Sequence, residues 1–187
     1  MPLEREIKLR FDSAEDARSR VAALGATPLR ARRLQEDALL DTADGRLRNG
    51  RAALRIRHEG GHSLLTLKGP PLSSPMKLRE EHETLVGDGQ ALMTILQALG
   101  LQICFRYEKY REEFVAEDVV IAIDETPVGV FVEIEGSEEH IGRTAQALGR
   151  GPADYITDSY RTLFAAHLQQ CGGANDEDMV FPDATSA

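Results

Sequence analysis

Glu4-Arg5-Glu6-Ile7-Lys8, read as part of a β-strand over Leu3–Phe11, sorts its side chains by parity. Glu4, Glu6 and Lys8 fall on one face, and Arg5, Ile7 and Leu9 on the other. Two carboxylates and an ammonium make a poor core face. They make a good lining for a metal ion beside an anion. That reading gains weight only if other strands repeat the pattern.

They do. Apolar alternation between turn signals places further strands at 33–42, 52–58, 63–68, 76–86, 103–115, 119–124 and 128–136. Glu59-Gly60-Gly61-His62 reads as a hairpin turn, Asn49-Gly50 as another, and the proline-rich stretch 69–75 as a loop. By parity, Arg55 and Arg57 share a face opposite Leu54 and Ile56. Lys68 joins Thr66; Arg79, Glu81 and Glu83 align; so do Lys109 with Arg111, and Glu133 with Glu135. Asp124 stands opposite Ile121 and Ile123.

Amphipathic helices punctuate the strands. Ser13, Asp88 and Ser137 are candidate N-caps for helices that end at Gly25, Gly100 and Gly149, and a last helix spans 154–170. Each helix must bury an apolar stripe, and the apolar sheet face is its natural partner. The charged face then turns inward. The plain alternative for any one strand is a solvated outer surface. Against it, this face carries acids and bases in equal number rather than the Thr, Ser and Gln of a wet surface. The expected fold is α+β, mainly β: an eight-stranded antiparallel β-barrel tunnel with helices packed outside. One domain over 1–171 is expected, followed by a disordered acidic tail at 172–187.

A charged interior is costly unless its charges are paired or ligated. Acid clusters suit hard cations such as Mg²⁺ or Mn²⁺, and Arg and Lys clusters suit phosphoryl oxygens. A triphosphate bringing about two divalent ions would bridge both sets. The net charge of -9 argues against nucleic-acid binding. The two cysteines, Cys104 and Cys171, form no CxxC motif, so neither a disulfide framework nor structural zinc is expected. No apolar run reaches the roughly 18 residues of a membrane span, and no signal peptide is visible, so a cytoplasmic protein without membrane partners is expected.

Glu4-x-Glu6-x-Lys8 also resembles the ExExK signature of the CYTH, or triphosphate tunnel metalloenzyme, superfamily. The likeness continues through Gln35-x-Asp37, Asp41-Thr42, Leu54-Arg55-Ile56-Arg57 and Leu65-Thr66-Leu67-Lys68-Gly69-Pro70. It runs on through Arg79-Glu80-Glu81-x-Glu83, Lys109-Tyr110-Arg111, Ile123-Asp124-Glu125, residues 129–136 and Ser159-Tyr160. The resemblance implies a tunnel that binds triphosphates with two Mg²⁺ or Mn²⁺ ions. It makes Glu4, Glu6, Glu133 and Glu135 metal ligands, with Asp124 and one of Glu81 or Glu83 completing the acidic side. It gives Lys8, Arg55, Arg57, Lys68, Arg79, Lys109 and Arg111 to phosphate oxygens. The catalytic centre implied is Glu4, Glu6, Lys8, Lys68, Glu133 and Glu135.

Members with these motifs divide between triphosphatases and class IV adenylyl cyclases. This chain lacks the His-Phe pair that can precede the first strand in cyclases, and it has Leu39-Leu40 where an aromatic pair often stands. A hydrolase of inorganic, thiamine or nucleoside triphosphate is therefore the leading expectation, and a cyclase the alternative. A non-catalytic binder and a barrel held by internal ion pairs are the other readings. Tyr160 reads as a helix core residue, Arg161 as a cap over one tunnel end, and the histidines as without a role.

Overall fold

A computed structural model describes residues 3–172 and 178–182. Eight strands close an antiparallel barrel in the order β1-β5-β4-β3-β2-β6-β7-β8. The strands are β1 (Leu3–Phe11), β2 (Thr27–Thr42), β3 (Ala53–Glu59), β4 (His62–Lys68), β5 (Lys77–Val86), β6 (Leu101–Ala116), β7 (Val119–Thr126) and β8 (Gly129–Gly136). The helices are α1 (Ala14–Ala23), α2 (Arg46–Asn49), α3 (Gly89–Ala98), α4 (Glu138–Ala147) and α5 (Tyr160–Cys171). The tight β3–β4 turn puts Gly60 at φ 54° and Gly61 at φ 83°. Positive φ at both central residues is the turn geometry that matches strand twist.

The outer faces of β1, β7 and β8, and parts of those of β2 and β3, are apolar and covered. Ile7, Leu9, Ile121, Ile123, Val132 and Ile134 pack against Ala17 and Val21 of α1 and Ile141, Ala145 and Leu148 of α4. Ala38, Leu40 and Ile56 pack against Met93 of α3. Covering these faces with helices leaves the charged faces to the barrel interior. Each of the four longer helices opens on a side-chain cap: Ser13, Asp88, Ser137 and Ser159 accept from the N–H groups of Asp16, Ala91, His140 and Thr162.

Most strand boundaries fall within two residues of the sequence reading, and three places differ more. β2 begins at Thr27 rather than at 33, because its arginine-rich first half pairs with β6 as far as Val115. Tertiary pairing there outweighs the polarity that suggested a loop. The last helix begins at Tyr160 rather than at 154, where Ser159 caps it; Pro152–Asp154 is a single 3₁₀ turn, and Ile156 bridges to Lys8. Near Asn49-Gly50, Asp41 accepts from the N–H groups of Leu47 and Arg48, folding the one-turn helix α2.

Most of the expected acidic tail, at 173–177 and 183–187, lies outside the described residues. Between those stretches, Met179 is fully buried against Phe105, Phe131, Tyr160 and Phe164. Its N–H donates to the Arg106 carbonyl at 3.0 Å, and its own carbonyl accepts from the Glu108 N–H at 2.8 Å. Among the described residues, no helix is long and apolar enough to cross a membrane.

Candidate active site

The inward faces of β1, β3, β4, β5, β6 and β8 enclose a cavity of about 360 Å³. Its wall brings together Glu4, Glu6, Lys8, Arg55, Arg57, Lys68, Arg79, Glu81, Glu83, Lys109, Arg111, Glu133 and Glu135. Every one was placed on the charged face by parity. Register explains the convergence. Glu6 lies opposite Glu135, Lys8 opposite Glu133, Glu4 opposite Arg79, Lys68 opposite Glu81, and Arg111 opposite Asp124.

Asp124 is not on the cavity wall. It is wholly buried behind Lys109 and Arg111. Its carboxylate accepts from Lys109 Nζ at 2.8 Å, from Arg111 Nε at 2.6 Å and from the Tyr160 hydroxyl at 2.7 Å. It acts as a counter-ion that aims two cations into the cavity. Glu83 sits towards one mouth and accepts from Thr66 at 2.7 Å.

Most wall charges are paired across strands. Lys8 Nζ lies 3.1 Å from Glu6 and 3.2 Å from Glu133. Lys68 Nζ lies 2.7 Å from Glu4 and 2.8 Å from Glu81. Arg111 also contacts Glu133. Arg57 clasps Asp37 with two hydrogen bonds, at 2.9 and 3.1 Å. Arg79 has no carboxylate partner among the described residues, and its buried Nε has no hydrogen-bond acceptor. An unpaired guanidinium on a cavity wall is a vacant anion contact.

The field in the cavity is lopsided. Burial, then Glu6, push the Glu4 carboxyl up to about 8 against the pull of Lys68. Burial, then Glu6 and Glu81, also raise Glu135. Burial would raise Glu6 and Glu133 too, but Lys8 and Lys77 outweigh it at Glu6, and Arg111 and Lys8 outweigh it at Glu133. Both stay below the usual carboxylate range. On the basic side, burial and then Arg111 bring Lys109 down to about 8. Acids thus crowd one part of the wall and cations another.

This donor set fits hard divalent ions by its chemistry, since Glu4, Glu6, Glu81, Glu133 and Glu135 offer only carboxylate oxygens to one cavity. Burial first and neighbouring carboxylates second raise Glu4 and Glu135, and a dication would relieve the second of these. Among the described residues, no three acidic, histidine or cysteine side chains already converge on one point. The acids are turned to lysines and arginines.

Sequence reasoning missed several wall residues. Lys77 lines the cavity and contacts Glu6. Its parity with Arg79 carried the signal, but it stood next to a loop. Asp37, buried behind Arg57 rather than on the wall, appeared only as part of a motif, although it shares the inward parity of Gln35. Tyr107 and Tyr160 also line the cavity, and the Tyr160 ring lies 5.2 Å from Lys8 Nζ and 4.9 Å from Lys109 Nζ. Arg161 lies at one end of the cavity, with its guanidinium 3.5 Å from Cys104 Sγ.

Known proteins share this architecture. A relative from Methanocaldococcus jannaschii, named Putative adenylate cyclase MJ0240, is 31% identical over 147 residues, which is 78% of this chain and 83% of its own. A Vibrio parahaemolyticus structure described as a putative adenylate cyclase aligns with a TM-score of 0.77 at 19% identity, over 87% of this chain and 97% of that one. The Hippeastrum protein HpAC1, named a putative adenylyl cyclase and described as having a dominant triphosphatase activity, aligns with a TM-score of 0.64 at 20% identity, over 93% and 97% of the two chains. At such identities these two structures share the fold. The CYTH domain itself matches residues 2–160, a span that takes in every barrel strand and ends on Tyr160, and on that match the chain belongs to the CYTH domain family.

Proposed function

We propose that the protein is a divalent-metal-dependent hydrolase of triphosphate compounds. The observation that carries this reading is one cavity with a base-rich and an acid-rich part to its wall. Arg55, Arg57, Lys109 and Arg111 offer donors from β3 and β6, Glu4, Glu6, Glu81, Glu133 and Glu135 offer oxygens from β1, β5 and β8, and Arg79 stands among the acids, opposite Glu4. A metal–triphosphate complex is complementary to both parts at once.

In this reading Arg79, already free of a carboxylate, makes the first contact with phosphate oxygens. Arg55 and Arg57 add planar donors from β3, and Asp37 keeps Arg57 in place. Lys109 and Arg111, held by Asp124, complete the basic wall. The acidic wall would hold Mg²⁺ or Mn²⁺, and the ions would supply Lewis acidity and charge neutralisation. Lys8 and Lys68, each between two carboxylates, are placed to move between acid and phosphate as ligand enters. Water then forms a new bond to the terminal phosphorus, the bond to the bridging oxygen breaks, and diphosphate leaves. The water's proton passes to a carboxylate of the acidic wall. Positioning and charge stabilisation do most of the work.

A second reading is a class IV adenylyl cyclase, in which the ribose 3′-oxygen attacks the α-phosphorus. The name of the Methanocaldococcus jannaschii relative favours it. Leu39 on the cavity wall offers no ring to stack on a base or a thiamine ring, which favours inorganic triphosphate as the substrate. The test is incubation of the pure protein with inorganic triphosphate, thiamine triphosphate and ATP in Mg²⁺ or Mn²⁺, with products identified. Orthophosphate release is the expected result. Cyclic AMP and pyrophosphate from ATP would establish the cyclase, and binding without turnover would overturn both.

A further inference from the structure

The family match ends at Tyr160, yet the chain returns to the barrel at Asp178–Phe181. That return is tied to β6 at several points. The Asp178 carboxylate accepts from the Arg106 N–H at 2.6 Å, Met179 exchanges backbone hydrogen bonds with Arg106 and Glu108, and the Phe181 N–H donates to the Glu108 carboxylate at 3.1 Å. The Phe181 ring lies against Tyr110, with centroids 5.2 Å apart. Met179 bridges to Tyr107, and paired residues of neighbouring strands turn their side chains to one face. Tyr107 faces the cavity, so the Met179 side chain enters the aromatic cluster at the cavity's flank, where it is wholly buried.

Two members of that cluster reach into the site. The Tyr107 and Tyr160 rings lie 6.2 Å apart, and Tyr160 stands edge-on to Phe131 at 5.6 Å. The Tyr160 hydroxyl donates to Asp124, which holds Lys109 and Arg111. The Tyr107 hydroxyl lies 3.5 Å from Arg55 Nη1. Lys109, Arg111 and Arg55 thus depend for their aim on where two rings sit, and packing sets the rings. An unbranched thioether fills the irregular space between aromatic side chains. Truncating it leaves a void into which the rings can shift.

We infer that Met179 is a positioning residue for the base-rich part of the cavity wall, acting through Tyr107 and Tyr160. The functional unit then extends past the family match to Phe181. The consequence for phosphate binding rests on the triphosphatase reading, whereas the hold on the two tyrosines does not.

The experiment compares the full chain with Met179→Ala, Met179→Leu and Met93→Ala. Met93 is a buried methionine of the separate cluster under α3, so Met93→Ala makes the same truncation away from both tyrosines. Urea unfolding should show both alanine variants weakened. Affinity for inorganic triphosphate in Mn²⁺ is measured where far-ultraviolet circular dichroism shows every protein folded. The expected result is a loss of about tenfold in Met179→Ala, recovery in Met179→Leu and the parent value in Met93→Ala. The chain has no tryptophan, so the tyrosine band of the near-ultraviolet circular dichroism reports ring packing without a ligand. That band should change in Met179→Ala and not in Met93→Ala. Parent affinity in Met179→Ala overturns the inference, and so does an equal loss in Met93→Ala, which would be an effect of stability alone. Met179→Val, a smaller truncation, is read in the same way if Met179→Ala does not fold. If the parent binds no triphosphate, the triphosphatase reading falls and the tyrosine band decides: a band unchanged in Met179→Ala overturns the inference.

Discussion

The Tyr160 hydroxyl donates to Asp124 Oδ2 at 2.7 Å, joining the first residue of α5 to the barrel interior. Asp124 in turn holds Lys109 and Arg111. The start of α5, which packs on the inward-facing Phe105, Tyr107 and Phe131, thereby sets the aim of two cations in the barrel. Tyr160→Phe keeps the ring beneath the lysines and removes only the hydroxyl. The expected cost is about 1–3 kcal/mol of stability, because Asp124 is left short of a donor. Weaker triphosphate affinity should accompany it. Urea unfolding and a binding titration check the two effects, and an unchanged affinity would confine Tyr160 to a structural role.

Asp37 and Arg57 make the second such device. Both are buried, and Arg57 also lines the cavity. Asp37→Ala strands a buried cation and should cost about 3–5 kcal/mol. Triphosphate should restore part of that loss by supplying the missing anion. A thermal melt with and without triphosphate measures it. Identical shifts for the variant and the parent would show that phosphate does not reach Arg57.

Carboxylates of the acidic wall separate a metal site from a set of internal ion pairs. Glu4→Gln and Glu133→Gln should each lower Mn²⁺ affinity and reduce triphosphate turnover by about a hundredfold or more. Isothermal titration with Mn²⁺ and a phosphate-release assay give the two readouts. A change in unfolding midpoint with unaltered Mn²⁺ affinity would leave these residues as ion-pair partners only.

Asp41 gives a pH dependence that the cavity does not complicate. Burial alone would raise its pKa, but hydrogen bonds from the N–H groups of Arg48, Leu47 and Thr42 outweigh burial and hold it below 3.8. The unfolded chain therefore takes up this proton at a higher pH than the folded one. The interaction contributes its full stability above about pH 3.8, and that stability is lost as pH falls through the lower folded value. Asp41→Ala should cost about 1–2 kcal/mol at neutral pH, and less in acid. Unfolding curves of both proteins across that range test it. A difference independent of pH would mean that the carboxylate charge is irrelevant.

How much of this was legible depended on whether a residue's role follows from parity or from register. Glu4 and Glu6, Arg55 and Arg57, and Glu133 and Glu135 declare a shared face by their spacing, because strand geometry has period two. Parity says nothing about depth. It put Asp124 on the right face, yet only the β6–β7 register shows Lys109 and Arg111 standing between it and the cavity. The pairing of Asp37 with Arg57 depends on how β2 meets β3, which a list of residues does not contain. Tyr160 stayed hidden for another reason. Its place follows from where α5 starts, and Ser159 sets that start. The first half of β2 was obscured by its arginines, whose partners Glu59, Glu113 and Glu125 lie far along the chain.

The short segment around Met179 bears on how the molecule meets its own copies. β6 continues past the end of β7 on one side, since their pairing stops at Tyr110 and Glu125. The Arg106 and Glu108 groups beyond that point would otherwise present an open strand edge. Met179 occupies the edge by exchanging two backbone hydrogen bonds with them. An uncovered edge is a template for strand addition by a second chain. Anchoring Met179 therefore makes a nearly closed barrel seamless, and a chain cut short of it would expose a stretch of β6 suited to aggregation.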